Sequence, residues 1–153
     1  MLFRSMKISI GSDHRGLATK TRLCASLKAI GHEVFDEGTH DCQSTDYPDY
    51  ASAVAGKVSR GEVERGILIC ATGIGMAITA NKFPGVRAAT CYEEYTAEMC
   101  RRHNDVNVLC LSEDLVGERR QQRIVDTWMQ TAFEAGRHQG RLDKIASCEK
   151  RSC

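Results

Sequence analysis

Short apolar runs alternate with longer segments of helical period along almost the whole sequence. The run Gly66–Cys70 is nearly continuous in apolar residues, which is typical of a central parallel strand buried on both faces. The stretch from Leu17 to Ile30 instead repeats its apolar residues at helical spacing, and Gly31 follows it as an expected helix end. This alternation predicts strands that are joined by helical crossovers.

Five such strands predict an α/β protein, a three-layer α/β/α sandwich with a five-stranded parallel, Rossmann-like sheet. Right-handed crossovers place helices on both faces of a parallel sheet, which accounts for the three layers. The predicted strands are Lys7–Gly11, Glu33–Asp36, Gly66–Cys70, Val86–Cys91 and Val106–Leu111. The predicted helices cover residues 17–30, 50–58, 76–82, 93–102, 116–133 and 139–149.

The 153 residues suit a single domain over residues 1–153, with an extension at 1–5 and a tail from about residue 150. The formal charge of +1 argues against wholesale binding to nucleic acid or to an anionic membrane. No apolar run is long enough to span a membrane, and the N-terminal segment is too short for a signal peptide. We therefore expect a cytoplasmic protein with no nucleic-acid or membrane partner.

The chain contains eight cysteines, and their spacing indicates what they do. They form no Cys-x-x-Cys pair and stand at no zinc-finger offset from a histidine, which disfavours a structural zinc site. Disulfides are not expected without a secretory signal. Most of the thiols should therefore be packed or incidental, and at most one or two should carry chemistry.

The loop after the third predicted strand, Cys70-Ala71-Thr72-Gly73-Ile74-Gly75, is the strongest candidate for chemistry. Ligands of parallel sheets bind at the carboxyl ends of the strands. Glycines at a strand-to-helix turn let backbone amides point at an anion, and such an environment favours a thiolate and a developing oxyanion. The loop lacks both the dinucleotide fingerprint and the P-loop lysine. Taken alone, it fits a structural glycine turn with a buried cysteine equally well.

Three other groups of polar residues have a functional and a structural interpretation. Asp13 and His14 fit a sugar and phosphate contact or an ordinary helix cap. His103 fits a general acid or base or a residue that caps a helix end. Arg137 and Arg141 share a face if their segment is helical, and they fit a phosphate site or a solvated basic turn.

The remaining charge clusters are expected to be solvated. The examples are Glu118-Arg119-Arg120 and Arg101-Arg102. The single tryptophan, Trp128, fits a helix core contact better than a ligand platform.

Six motifs occur in one order over nearly the whole chain, and together they resemble ribose-5-phosphate isomerase type B and its sugar-phosphate isomerase relatives. The resemblance runs from about Met6 to Glu149. The motifs are Gly11-Ser12-Asp13-His14, Thr45-Asp46-Tyr47-Pro48, Gly66 to Met76, Ala80-Asn81-Lys82, Arg102-His103-Asn104-Asp105 and Gly136-Arg137-His138.

The resemblance implies an aldose–ketose isomerisation of a phosphosugar through a cis-enediolate, with no metal and no cofactor. It gives Cys70 the role of the base that moves the proton between C2 and C1. It gives His103 a part in opening the furanose ring, with Asp13 assisting or positioning near the sugar hydroxyls. Thr72 would assist proton movement between O1 and O2.

The resemblance also implies the binding residues and the partners. The sugar and the enediolate would contact Tyr47, the amides of Ala71, Gly73, Ile74 and Gly75, and the Asn104 side chain. The phosphate would contact His14, Arg137, His138 and Arg141. Members of the family are homodimers or homotetramers with sites shared between subunits, so His103 and the Cys70 loop are expected to come from different chains.

Two positions depart from the pattern of the family. Ala71 stands where the family usually has glycine, which is tolerable only if this residue keeps a negative φ. Asp114 stands where many members have an arginine that contacts phosphate. We expect Asp114 to point away, with Arg137 and Arg141 sufficient for the phosphate. The alternatives are an isomerase of a hexose 6-phosphate, such as allose or galactose 6-phosphate, and a non-catalytic sugar-phosphate-binding subunit.

Overall fold

A five-stranded parallel sheet forms the centre of the computed structural model, which describes residues 4–150. Its strands are β1 (Lys7–Ser12), β2 (Glu33–Asp36), β3 (Arg65–Cys70), β4 (Ala88–Thr90) and β5 (Val108–Ser112). They lie in the order β2-β1-β3-β5-β4, so β3 is central and β2 and β4 are the edges. The predicted number and direction of the strands are confirmed.

Helices cover both faces of this sheet. They are α1 (Leu17–Ala29), α2 (Tyr47–Ser59), α3 (Ile74–Ala80), α4 (Glu94–Asn104), α5 (Glu118–Gln130) and α6 (Arg137–Glu149). Helices α1, α4 and α5 share one core with the sheet, α2 and α3 share another, and α6 packs on α4. The three-layer α/β/α sandwich is therefore confirmed.

The central strands are buried on both faces because their side chains alternate between two cores. In β3, Ile67 and Ile69 point toward α1 and α5, whereas Leu68 and Cys70 point toward α2 and α3. All four are at most 5% exposed. Trp128 is fully buried in the first core, as its helical position predicts.

Some element boundaries differ from those expected. Helix α2 begins at Tyr47 rather than near Tyr50, because Pro48 occupies an early helical position that tolerates its missing N–H. The edge strand β4 is shorter than expected, because the amide of Val86 bonds to Phe83 in a turn. Helix α5 ends at Gln130, where Thr131 takes an extended backbone.

Arg101 corrects an expectation. The residue is buried rather than solvated, and its guanidinium donates to the backbone carbonyl of Val106 at 2.7 Å and pairs with Asp105 at 2.8 Å. Its place at the end of α4 tucks the side chain beneath the start of β5, where these oxygens are available. Arg102 remains partly exposed.

The ends of the chain are only partly described. Residues 1–3 of the predicted extension and residues 151–153 of the predicted tail lie outside the described residues. Arg4 pairs with Glu64 at 2.6 Å, and the Ser5 hydroxyl donates to the Gly31 carbonyl at 2.7 Å. Over residues 4–150, no helix has the length and apolar character needed to cross a membrane.

A buried ion pair joins α1 to the edge of the sheet. Lys20 is 1% exposed, and its Nζ lies 2.6 Å from both carboxylate oxygens of Asp36 at the end of β2. Burial alone would raise the pKa of Asp36, but hydrogen bonds from the Lys20 ammonium and the Gly38 amide outweigh it and lower the pKa. The folded state therefore favours the charged carboxylate.

We expect Asp36→Asn to destabilise the fold by about 2–3 kcal/mol at neutral pH, because it leaves the buried Lys20 ammonium without its countercharge. Urea unfolding at pH 7 measures this loss. The lowered pKa makes the stabilisation fully present above the ordinary aspartate pKa of about 4, and it disappears as pH falls through the lower folded-state value.

The double variant Lys20→Met/Asp36→Asn is the matched control, since it removes both charges and should recover most of the lost stability. Equal urea midpoints for Asp36→Asn and the unaltered chain at pH 7 would contradict the structural role of this pair.

Candidate active site

The loop that follows β3 folds back over the Cys70 side chain. Cys70 is buried, and its Sγ accepts a hydrogen bond from the backbone amide of Gly73 at 3.1 Å. The Ile74 amide donates to the Thr72 hydroxyl at 3.3 Å. The loop therefore directs the Gly73 amide at the thiol, whereas the Ile74 amide is engaged by the Thr72 hydroxyl.

Gly73 cannot be replaced without moving the loop. Its φ is 79°, in the left-handed region, where a side chain is strained. A Cβ there would also lie 2.9 Å from the Thr90 Cγ2 and 3.0 Å from the Leu111 carbonyl oxygen. Its own carbonyl accepts from the Thr90 hydroxyl at 3.1 Å, which ties the turn to β4.

Gly75 allows Tyr47 to cover the loop. A Cβ at Gly75 would meet the Tyr47 ring at 2.5 Å, so the ring lies directly on the backbone of α3. Tyr47 is 40% exposed, which leaves part of its ring open at the same edge of the sheet.

Ala71 fits the loop in place of the expected glycine. The described non-glycine residues with positive φ are Asp105 and Ala135. Ala71 therefore has the negative φ that its methyl group requires. Its carbonyl accepts hydrogen bonds from the Ser112 hydroxyl at 2.7 Å and the Asp114 amide at 3.0 Å.

Asp13 follows β1 and lies beside the β3 loop because β1 and β3 are neighbours. Its Oδ1 accepts from the amides of Arg15 at 3.0 Å and Gly16 at 3.4 Å, so it caps the short 3-10 turn at His14–Gly16. Within residues 4–150, its Oδ2 has no hydrogen-bond partner. The capping interpretation therefore holds, and one oxygen is left for a ligand.

His14 also presents one nitrogen to the site. Its Nδ1 accepts from the Thr45 amide at 3.2 Å, so a proton on the neutral ring lies on Nε2. Nε2–H can then donate to an anion. The ring is half-buried, which holds this donor in place.

Asp114 forms an ion pair with Arg15. The Asp114 carboxylate lies 2.6 Å from Arg15 Nη2, and both side chains are partly exposed. The negative charge that departs from the family pattern is therefore compensated by a neighbouring guanidinium on the β1 side of the loop.

His103 lies in the last turn of α4 and stacks on His138 of α6. The ring centroids are 4.3 Å apart, with 14° between the planes. Burial lowers the pKa of His138, and the positive charges of His103, Arg137 and Arg141 act in the same direction. His138 is therefore favoured as a neutral imidazole.

His103, Glu134 and His138 bring their potential ligand atoms within 4.8 Å of one another. The stacked rings direct their in-plane lone pairs along parallel planes, so these do not converge on one ion. Arg102 also engages the Glu134 carboxylate and lowers its pKa. This arrangement fits proton transfer and anion contact better than metal coordination.

Arg137, Arg141 and Asn104 complete the polar groups near His103. Arg137 and Arg141 are exposed one turn apart on α6, and neither forms an ion pair with the described residues. The backbone carbonyl of Asn104 accepts from Arg87 Nε at 3.0 Å, and its side chain is exposed.

The predicted residues fall into two groups at opposite edges of the sheet. The carboxyl-edge group is Asp13, His14, Tyr47, Cys70, Ala71, Thr72, Gly73, Ile74 and Gly75. The amino-edge group is His103, Asn104, Arg137, His138 and Arg141. Cys70 is in register with Ser112 at the end of β5, whereas Asn104 precedes the start of that strand. Strand β5 alone spans about 13 Å at 3.3 Å per residue, so one chain does not bring His103 to Cys70.

Several residues that hold the loop were not expected from the sequence. The Tyr92 hydroxyl donates to the Thr72 carbonyl at 3.0 Å, and Ser112 and Thr90 bond to Ala71 and Gly73. All three lie at or just after strand ends, which is the one signal that could have indicated them. Their contacts are to backbone atoms, so they belong to no recognisable catalytic motif.

The family described as Ribose/Galactose Isomerase matches residues 8–145 of this chain. The chain is 48% identical to ribose-5-phosphate isomerase B of Escherichia coli K12 over 145 residues, covering 95% of this chain and 97% of the relative.

Solved structures agree with this match. The ribose-5-phosphate isomerase B of Clostridium thermocellum superposes with a TM-score of 0.95 at 50% identity, covering 97% of this chain and 100% of the other. The enzyme of Mycoplasma genitalium, solved with bound ribulose-5-phosphate, gives a TM-score of 0.91 at 44% identity, covering 94% and 96%. These likenesses extend over the sheet, the Cys70 loop, His14 and His103. The chain therefore belongs to the ribose/galactose isomerase family.

Proposed function

We propose that this chain is an aldose–ketose isomerase that interconverts ribose 5-phosphate and ribulose 5-phosphate through a cis-enediolate. The observation that carries the proposal is the inward-facing loop, in which the Gly73 amide contacts the buried Cys70 thiol at 3.1 Å. The relative with bound ribulose-5-phosphate supports the choice of substrate.

Cys70 acts as the base in this mechanism. Its thiolate takes the proton from C2 of the open-chain aldose, the C–H electron pair forms the C1–C2 double bond, and the π pair of the C1 carbonyl moves onto O1, which gives the enediolate. The resulting thiol then returns the proton to C1, which gives the ketose. The Thr72 hydroxyl assists proton movement between O1 and O2, and no external oxidant or reductant is needed.

The negative charge that develops on the enediolate oxygens is stabilised by hydrogen-bond donors. The Gly73 amide already points at the thiol, and the other amides from Ala71 to Gly75 are the neighbouring candidate donors. Donors that are already oriented stabilise such charge without reorganisation. The Asn104 side chain adds one further N–H donor from the amino-edge group.

Opening of the furanose ring uses His103 and Asp13. His103 transfers a proton at the ring oxygen as the ring opens, with the neutral His138 stacked against it. The free Oδ2 of Asp13 accepts from a sugar hydroxyl and orients the ring, while Oδ1 remains fixed by its two capping bonds.

The phosphate group is bound by residues from both groups. His14 offers Nε2–H at the carboxyl edge, because its Nδ1 is occupied by Thr45. Arg137 and Arg141 offer two guanidiniums one turn apart, which suits the bidentate binding of a phosphate, and His138 assists beside them.

A second copy of the chain completes the site in this proposal. One chain holds the carboxyl-edge and amino-edge groups on opposite sides of its sheet, so a partner must bring His103, Asn104, Arg137 and Arg141 to the Cys70 loop. A two-fold assembly supplies the missing half to both copies and gives two identical sites. The assembly is a homodimer, alone or within a homotetramer.

Two other functions differ from this proposal in what they require of the site. A hexose 6-phosphate would require a longer pocket between Tyr47 and the partner. A non-catalytic sugar-phosphate-binding subunit would have no need of a base, and the retained Cys70, Thr72 and His103 argue against it.

We expect Cys70→Ala to lower kcat for ribose 5-phosphate by about 10²–10⁴-fold, because it removes the group that transfers the proton. Isomerisation assays on a panel of pentose and hexose phosphates measure this and rank the substrates. Cys42→Ala changes an exposed thiol and should leave kcat unchanged. Absence of turnover on every sugar phosphate in the panel would refute the enzyme proposal.

Mixed assemblies test the shared site. Cys70→Ala and His103→Ala chains should each be nearly inactive alone, but random mixing of equal amounts should restore about a quarter of the wild-type activity. Half of the pairs are then mixed, and each mixed pair has one intact site of two. Mixtures that stay as inactive as their components, although native mass spectrometry shows mixed pairs, would place both residues in one chain's site.

The ion pair between Asp114 and Arg15 leads to a further prediction. Asp114→Asn should change KM for ribose 5-phosphate by no more than about threefold, because Arg15 already offsets the carboxylate. Arg15→Gln should raise KM more, since it leaves a free carboxylate near the dianionic substrate, and the double variant should reverse this rise. A lower KM in Asp114→Asn by tenfold or more would show that the carboxylate repels the substrate directly.

A further inference from the structure

A cavity opens at the amino edge of the sheet, on the opposite side from the Cys70 loop. Its volume is about 350 Å³. It lies where β3, β4 and β5 begin, beneath the end of α4, and its charged lining residues are Arg4, Glu64, Arg65, Arg87, Arg101 and Asp105. None of the residues proposed for catalysis or for substrate phosphate lines it.

The lining of this cavity contains more positive than negative charge. Four arginines face two carboxylates, which leaves an excess of two positive charges. Glu64 pairs with Arg4 at 2.6 Å. Asp105 is shared between Arg87 at 3.2 Å and Arg101 at 2.8 Å. Within residues 4–150, no carboxylate forms a salt bridge with the fourth arginine, Arg65.

Arg65 is held in place without a countercharge. Its Nη1 donates to the backbone carbonyls of Trp128 at 2.8 Å and Met129 at 3.2 Å, and its guanidinium lies 4.9 Å from the centre of the Trp128 ring. Burial and the nearby charge of Arg101 lower the pKa of Arg65 to about 10. These interactions fix the guanidinium at the cavity wall, where Asp105 and Glu64 act on it from nearby but form no salt bridge with it.

Donors also remain unused in the cavity wall. Among the described residues, Nε and Nη2 of Arg65 and Nη2 of Arg101 have no hydrogen-bond acceptor. The Arg101 side chain is only 8% exposed, so solvent reaches it mainly through the cavity. These N–H groups face the open cavity, where an anion could accept hydrogen bonds from them and offset the positive charge.

We propose that this cavity binds a phosphoryl dianion, either as free phosphate or as the phosphate of a small ester. Two excess positive charges match a dianion, and the planar forks of Arg65 and Arg101 suit tetrahedral oxyanions. The volume lies at the small end of ligand pockets, so the ligand is a phosphate with at most a small organic group. The site is separate from the catalytic phosphate contacts and does not depend on them.

The test is isothermal titration of the full-length Arg137→Ala/Arg141→Ala variant with inorganic phosphate. This background removes both guanidiniums proposed above for the substrate phosphate and leaves only the His14 and His138 contacts, so binding that responds to Arg65 reports on the cavity. We expect saturable binding of one phosphate per chain. Arg65→Met, which keeps an apolar stem against Trp128, should weaken the binding by about tenfold or more.

Arg4→Met provides a second variant at an exposed position that carries little risk to folding, and it should weaken binding by a smaller factor. Arg119→Met removes an exposed arginine outside the cavity and should leave the affinity unchanged. Tighter binding of glycerol 2-phosphate than of inorganic phosphate would identify an ester as the ligand, and equal or weaker binding would identify free phosphate. Non-saturable binding, equal affinity for acetate, or insensitivity to both Arg65→Met and Arg4→Met would overturn the proposal.

Discussion

The pairing of β3 with β5 supports the whole carboxyl edge of the protein. Cys70 is in register with Ser112, and the ladder continues beyond the strands, because the amides of Glu113 and Asp114 donate to the carbonyls of Cys70 and Ala71. The loop is thus an extension of the sheet rather than a free connection. Its first residues hold their positions because they continue from β3 and are bonded to the residues that follow the buried strand β5.

Much of this fold can be predicted from the sequence because two periodicities are visible in it. Apolar runs such as Gly66–Cys70 mark buried strands, and the spacing between Leu17 and Ile30 marks a helix. The first and last residues of each helix and strand are harder to predict from the sequence. They depend on single hydrogen bonds and on whether a strand lies at the edge of the sheet, as β4 does. Arg101 shows a deeper limit: its burial depends on backbone carbonyls that only the folded chain brings together.

The candidate site, like the fold, could be predicted only in part from the sequence. The residues that the sequence singles out do gather, but into two groups, and chain order explains why. Cys70 follows a strand, which places it at the carboxyl edge, whereas His103 precedes one and lies at the amino edge. The supporting contacts of Tyr92 and Arg15 carry no motif, since one bonds to a backbone carbonyl and the other to a carboxylate 99 residues away, and only the place of Tyr92 just after a strand end hints at its contact.

The division of the two groups has a kinetic consequence. If each working site needs parts of two chains, the rate depends on the concentration of assembled pairs rather than on the total amount of protein. Dilution toward the dissociation constant of the pair would then lower the activity per chain, while each separated fold remained intact. Variation at the contact surface could therefore tune the enzyme's output without any change to the groups that handle the sugar.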